Sequence, residues 1–138
     1  MEALFDALYN YLITTPFGEL LAEEEEEEEY KLYNTEAPEE VISPYAVYQL
    51  VTSVPDWTFV ERNEDVLIQF NLFSENNTCE EVSDLAAALC DALEFQDSEL
   101  VIESAKAFSL TRVASLLSKV DGIWCGNITF RIIYKKGD

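Results

Sequence analysis

The stretch "EDVLIQFNLFS" places Val66, Ile68, Phe70 and Leu72 on one face and Leu67, Gln69, Asn71 and Phe73 on the other. A period of two over that length predicts a strand with one side turned to a core. "IWCGNITFRIIYKK" repeats the pattern, with Ile128, Phe130, Ile132 and Tyr134 alternating with Thr129, Arg131 and Ile133. Tyr45 to Thr52 read as a further strand, which Pro55-Asp56 turns. "EYKLYN" is a short strand candidate, and "ELVIESAKAFSLTRV" adds strand material after the second helix.

Two stretches switch to the helical period. Residues 2–13 carry Leu4, Phe5, Leu8, Tyr11 and Leu12 at helical spacing, and Thr15-Pro16 with Gly18 ends the pattern. In "NNTCEEVSDLAAALCDALEF" the buried stripe is Val82, Leu85, Ala86, Leu89 and Leu93. Thr78 with Glu81 fits a capping box, and Glu80, Glu81 and Asp84 suit a helix N-terminus. The order of helix, two or three strands, helix, two strands predicts one α+β domain over residues 1–138. Its sheet is single and mixed, largely antiparallel, of about four to five strands, with two main helices packed on it.

Composition supports a folded chain. Of 138 residues 49% are hydrophobic, which disordered acidic chains are not. The charge is unusual: 28 acids against 8 bases give −20, unevenly placed. Residues 1–61 hold 15 acids and one base (−14), residues 62–99 ten acids and one base (−9), and residues 100–138 three acids and six bases (+3). Seven acids form one block: Glu23, Glu24, Glu25, Glu26, Glu27, Glu28 and Glu29. Like charges at i and i+4 oppose each other in a helix, so the block reads as an exposed acidic loop. No basic stripe is present to bind nucleic acid phosphates or an anionic membrane. The start "MEALFDALYN" lacks a basic n-region, no run reaches about 20 apolar residues, and a cytosolic protein is expected.

Little in the chain points to catalysis. There is no histidine, which removes the commonest general base and metal ligand along with any Ser-His-Asp or Cys-His arrangement. No phosphate-binding glycine motif occurs among four glycines. Cys79, Cys90 and Cys125 read as reduced, buried and apolar; the first two, eleven apart on one helix, stand about 16 Å from each other, too far to bridge. Carboxylate pairs arise by chance at this acidity. The glutamate run lacks the alternating ligands and glycine of a calcium loop. No enzyme activity, cofactor or metal is expected. The aromatics Tyr45, Tyr48, Trp57, Phe59, Phe70, Phe73 and Trp124 are read first as core.

The run from Ala37 onward resembles the tail completion and tail terminator proteins of long-tailed bacteriophages. The likeness rests on an ordered set spanning about three quarters of the chain. It comprises Ala37 and Pro38; Pro44, Tyr45, Val47 and Tyr48; Gln69, Phe70, Phe73 and Ser74; Glu80, Glu81, Leu85 and Ala86; and the closing "G…ITFRIIY" strand. No single motif is specific, and the glutamate block departs from the pattern. The resemblance implies a protomer of a ring, typically six copies, in the virion neck. That ring caps the tail tube, stops its growth and meets a head-completion or connector protein, while DNA passes through without being specifically bound. It brings no catalytic residues.

On this reading the acidic run Glu23 to Glu29 faces the lumen or its rim and repels passing phosphates, with a solvated outer loop as the alternative. A cyclic ring joins two different surfaces of each protomer. A basic surface including Lys106, Arg112 and Arg131 is expected to meet an acidic one on the next copy, more strongly at low salt. The rival from another class is an acidic DNA-mimic inhibitor; a head-completion or tube protein is a neighbouring role.

Overall fold

Asp121 and Gly122 both take positive φ, 51° and 79°. Two such residues make the two-residue hairpin turn whose twist matches that of its strands. This turn joins β6 (Ser109–Val120) to β7 (Ile123–Lys135), each a dozen or so residues long. The computed structural model describes residues 2–22, 29–39, 41–57, 62–94, 96, 99–102, 105–106 and 109–135.

β7 pairs antiparallel with β3 (Arg62–Ser74), and β3 pairs antiparallel with β2 (Tyr45–Trp57). β1 (Leu32–Asn34) adds in parallel along Ala46–Tyr48, so the five-stranded sheet runs β1-β2-β3-β7-β6. Val66, Ile68, Phe70 and Leu72 of β3 and Ile128, Phe130, Ile132 and Tyr134 of β7 all face the core. The helices α1 (Glu2–Leu12), α2 (Pro16–Leu21) and α3 (Glu80–Leu93) pack on that face. Phe70 is fully buried, edge-on to Phe130 at 5.9 Å and beside Tyr48 at 5.8 Å; Phe5 of α1 meets Tyr48 at 5.7 Å. The Tyr11 hydroxyl donates to the Ala92 carbonyl at 2.6 Å, tying α1 to α3. A small hairpin, β4 (Val101–Ile102) with β5 (Ala105–Lys106), stands apart from the main sheet. The observed class is α+β, as the patterning predicts.

The first helix ends at Leu12, ahead of Thr15-Pro16 as its punctuation predicts, and Pro16 then opens α2, which includes Gly18, because proline at the first helical position loses only an N–H that would be unbonded anyway. Four local readings need correction. Pro55-Asp56 does not turn the chain: β2 runs on to Trp57, as an edge strand tolerates proline where the missing N–H faces outward. The capping box of Thr78 and Glu81 does not form. The helix starts at Glu80, and Glu81 instead accepts a hydrogen bond at 2.7 Å from Ser74, whose fully buried hydroxyl needs a partner. Cys79, just ahead of that helix, is exposed; Cys90 and Cys125 are half-buried, and all three are free thiols. Of the aromatics read as core, Tyr48 and Phe70 are buried, whereas Tyr45 and Phe73 stack on each other at 4.8 Å on the opposite face. Phe59 and the side chain of Trp57 lie outside the described residues.

Candidate functional site

Strand alternation leaves the sheet with a second face, opposite the helices. Tyr45, Val47 and Gln49 of β2, Asp65, Leu67, Gln69, Asn71 and Phe73 of β3, and Asn127, Thr129 and Arg131 of β7 point to it. Among its named residues this face bears one carboxylate, Asp65, on a protein of charge −20. Arg131 lies opposite Leu67 in the β3–β7 ladder, one step along from Asp65, and its guanidinium grips the carboxylate through Nε at 2.9 and 3.1 Å and through NH2. That hydrogen bonding and charge hold the Asp65 carboxyl below the usual carboxylate range against a smaller opposing effect of burial. The face is therefore amide-rich and nearly neutral.

The sheet edges differ from its faces. β6 is the last strand on one side, and no described strand pairs with its outer edge. Its distal half exposes Val113 (55%), Leu116 (63%), Leu117 (42%) and Val120 (61%). β6 carries two cations, Arg112 and Lys119, and no acid. Edge strands usually bear charges or proline against unwanted pairing, and this one exposes four large apolar side chains. At the other side β1 covers only Ala46–Tyr48, so β2 is uncovered from Gln49 onward among the described residues. Leu50 and Val51 are exposed there, and Ile42 on the preceding loop is 77% exposed. Each edge strand has a bulge, at Val51 in β2 and at Val113 in β6. Both bulges flank the same row of the sheet, Leu50–Ile68–Phe130–Arg112.

Beside β6 an open groove of about 480 Å³ runs between α3 and the β6–β7 hairpin, lined by Ala86, Cys90, Arg112, Leu117, Gly126 and Ile128 among others. Gly126 keeps it open: a Cβ there would already touch Val82 at 3.4 Å. Burial pushes the Cys90 thiol up in pKa, outweighing the nearby Arg112, so it is not an activated nucleophile. Among the described residues no three His, Cys, Asp or Glu side chains converge as a cation site. Nor is any helix among them long and apolar enough to cross a membrane.

The residues singled out from sequence scatter across this frame. Arg131 is committed to Asp65 on the open face. Arg112 lies on the helix side, 3.6 Å from Glu94. Their partners in the ladder, Thr111 and Phe130, point to opposite faces, so the two arginines do not form one patch. Lys106 sits in β5, and its side chain lies outside the described residues, as do Glu23 to Glu28. Glu29 is exposed. The ends of the glutamate run are nonetheless fixed: Ala22 and Tyr30 form a bridge, and Lys31 N–H donates to Leu21 O at 2.8 Å. Ala46 N–H in turn donates to Lys31 O, so the run leaves and rejoins the fold at the β1–β2 edge. The surface that sequence patterning does not reveal is Val113 to Val120. Its one signal is Asp121-Gly122, a hairpin turn that obliges the preceding residues to pair with β7.

No family model matches the chain, and no curated protein matches it. Among solved structures it is similar to a chain of the virion of a native gene transfer agent (GTA) particle, with TM-score 0.75 and 16% identity, covering 96% of this chain and 95% of that one. A second solved chain has TM-score 0.54 and 10% identity over 97% and 96%. At these identities the likeness is one of fold, and it extends over essentially the whole length of all three chains.

Proposed function

We propose that this chain is a structural virion protein of a phage-like particle, acting without catalysis as a neck ring that terminates the tail tube. In this role six copies form the ring, cap the tube, stop its growth and meet the head-completion protein, with DNA passing through the lumen. The observation that carries the reading is the whole-length match at TM-score 0.75 to a chain of a gene transfer agent virion. The resemblance of the ordered strand motifs to tail terminators supports the neck as its place. Two open edges on opposite sides of one sheet suit a protomer that must contact a neighbour on each side.

The acidic run fits the same role. The residues flanking it, Ala22 and Tyr30, bridge beside one sheet edge, and seven carboxylates on each of six copies would keep phosphates from adhering. Exchanging the run for Ser-Gly and measuring DNA retention on assembled rings tests this; unchanged retention removes the lumen role. The charge of −20 is the observation behind a second reading, a DNA mimic. Binding assays separate the two. The ring protein binds tail tube ends, and the mimic binds a basic nucleic-acid-binding protein with a steep salt dependence.

A further inference from the structure

We infer that neighbouring copies join by β-strand addition, the free edge of β6 pairing antiparallel with the free edge of β2 on the next copy. The inference rests on the ring reading above and names its interface. The first observation is chemical. The β6 edge exposes Val113, Leu116, Leu117 and Val120, and the β2 edge exposes Leu50 and Val51. Both have open backbone hydrogen-bonding groups among the described residues. A strand edge with apolar side chains and unpaired N–H and C=O groups is a template for another strand.

The second observation is topological. Counting along the antiparallel ladder β2, β3, β7, β6, strand direction reverses three times, so β2 and β6 run in opposite directions. A rotation about an axis inclined to the strands, as in a closed barrel, sets copies side by side, staggers them along the strands and preserves these directions. The junction is then antiparallel, like every junction among these four strands, and the sheet continues unbroken from copy to copy. Because β6 and β2 are different surfaces, the contact is heterologous, which a ring requires and a twofold dimer does not.

The third observation is electrostatic. β6 has two cations and no carboxylate. The β1–β2 side carries the roots of the glutamate run together with exposed Glu36 and Glu39. Opposite signs favour β6 against β2 and disfavour β2 against β2. Pro55 closes the pairing window, leaving Gln49 to Val54 on β2 to meet Ala114 to Val120 on β6.

The test uses the full chain with its three native cysteines replaced. Leu116→Cys and Val51→Cys proteins, one carrying a mass tag, are mixed and treated with a short bismaleimide. The expected product is a tagged–untagged dimer from the mixture and no dimer from either protein alone. Dimer from Leu116→Cys alone would mean that β6 pairs with itself, and an absence of dimer would mean that the edges do not meet; either result overturns the inference. Native mass spectrometry of the unaltered chain reads the ring separately. Mixed crosslinks with open chains and no closed six-copy species would keep the edge pairing and remove the ring. As a second variant, Leu116→Lys with Val120→Lys leaves the melting temperature unchanged and weakens self-association roughly tenfold or more, since edge lysines block strand addition. Unweakened association overturns the inference.

Discussion

Gly18 shows how much a single missing side chain can matter in this fold. A Cβ at that position would lie 2.6 Å from both Ile13 Cα and Leu12 O, backbone atoms that cannot step aside. Gly18→Ala is therefore expected to destabilise the chain by about 1–3 kcal/mol, as overpacked sites do. Gly126→Ala meets side chains at ordinary contact distance, Val82 Cγ2 at 3.4 Å and Leu72 at 3.7 Å, and is expected to cost well under about 1.5 kcal/mol. Urea titration of both variants checks the contrast through their midpoints at unchanged slope. Phe70→Ala empties the centre of an aromatic cluster and is expected to cost about 3–5 kcal/mol.

Tyr48 gives a pH dependence. Burial first, then the negative charge of Asp6 and the neighbouring Tyr9, push its hydroxyl from 10.0 up to about 12. The folded state thus holds this proton more tightly than the unfolded chain. The corresponding stability is fully present below pH 10 and is lost as pH rises from 10 through 12. The loss is about 2 kcal/mol at the upper end, from the size of one pKa unit. Melting curves across that range should fall less steeply for Tyr48→Phe; equal slopes would contradict the assignment.

Among the elements, those with a strict period are legible in the amino-acid sequence itself. The alternation in β3 and β7 and the stripe on α3 depend on burial of one face, and burial writes itself into composition. The edge strands are less legible for a physical reason. β6 is half exposed, so "RVASLLSK" has no clean alternation, and only its turn betrays it. β2 is longer than its pattern because an edge strand can absorb a proline. The capping box fails because the tertiary demand of buried Ser74 outweighs a local preference of Glu81. The candidate site is legible in charge but not in place. Arg112, Arg131 and Lys106 belong to one basic third of the sequence, yet β7 and β6 send the two arginines to opposite faces of the sheet. The apolar edge Val113 to Val120 is hidden in the sequence, since exposure cannot be read from hydrophobicity alone. At this scale Asp65→Asn removes one cross-strand ion pair at a half-exposed site, with an expected cost of about 0.5–1 kcal/mol. Thermal melts at neutral pH and in increasing acid check it: the difference from the parent shrinks as pH falls through the lowered Asp65 pKa, where the carboxylate takes up its proton and the pair is lost.

At the level of the whole molecule, charge and shape act on different ranges. In the proposed ring, six copies of a −20 chain would repel one another, and such repulsion reaches about 30 Å at 0.01 M salt but only about 8 Å at 0.15 M. The apolar strand contacts are short-ranged and nearly indifferent to salt. Self-association should therefore rise from low to physiological ionic strength even though the two edges attract locally. A DNA mimic bound to a basic partner moves the other way, losing affinity as salt rises. The central claim is that the chain is a ring-forming virion component, and negative-stain imaging of the purified protein, alone and after incubation with tail tubes, tests it most directly. The expected result is a six-fold ring with a central hole, free or seated on tube ends. Single protomers in both samples, with bare tube ends, would contradict it.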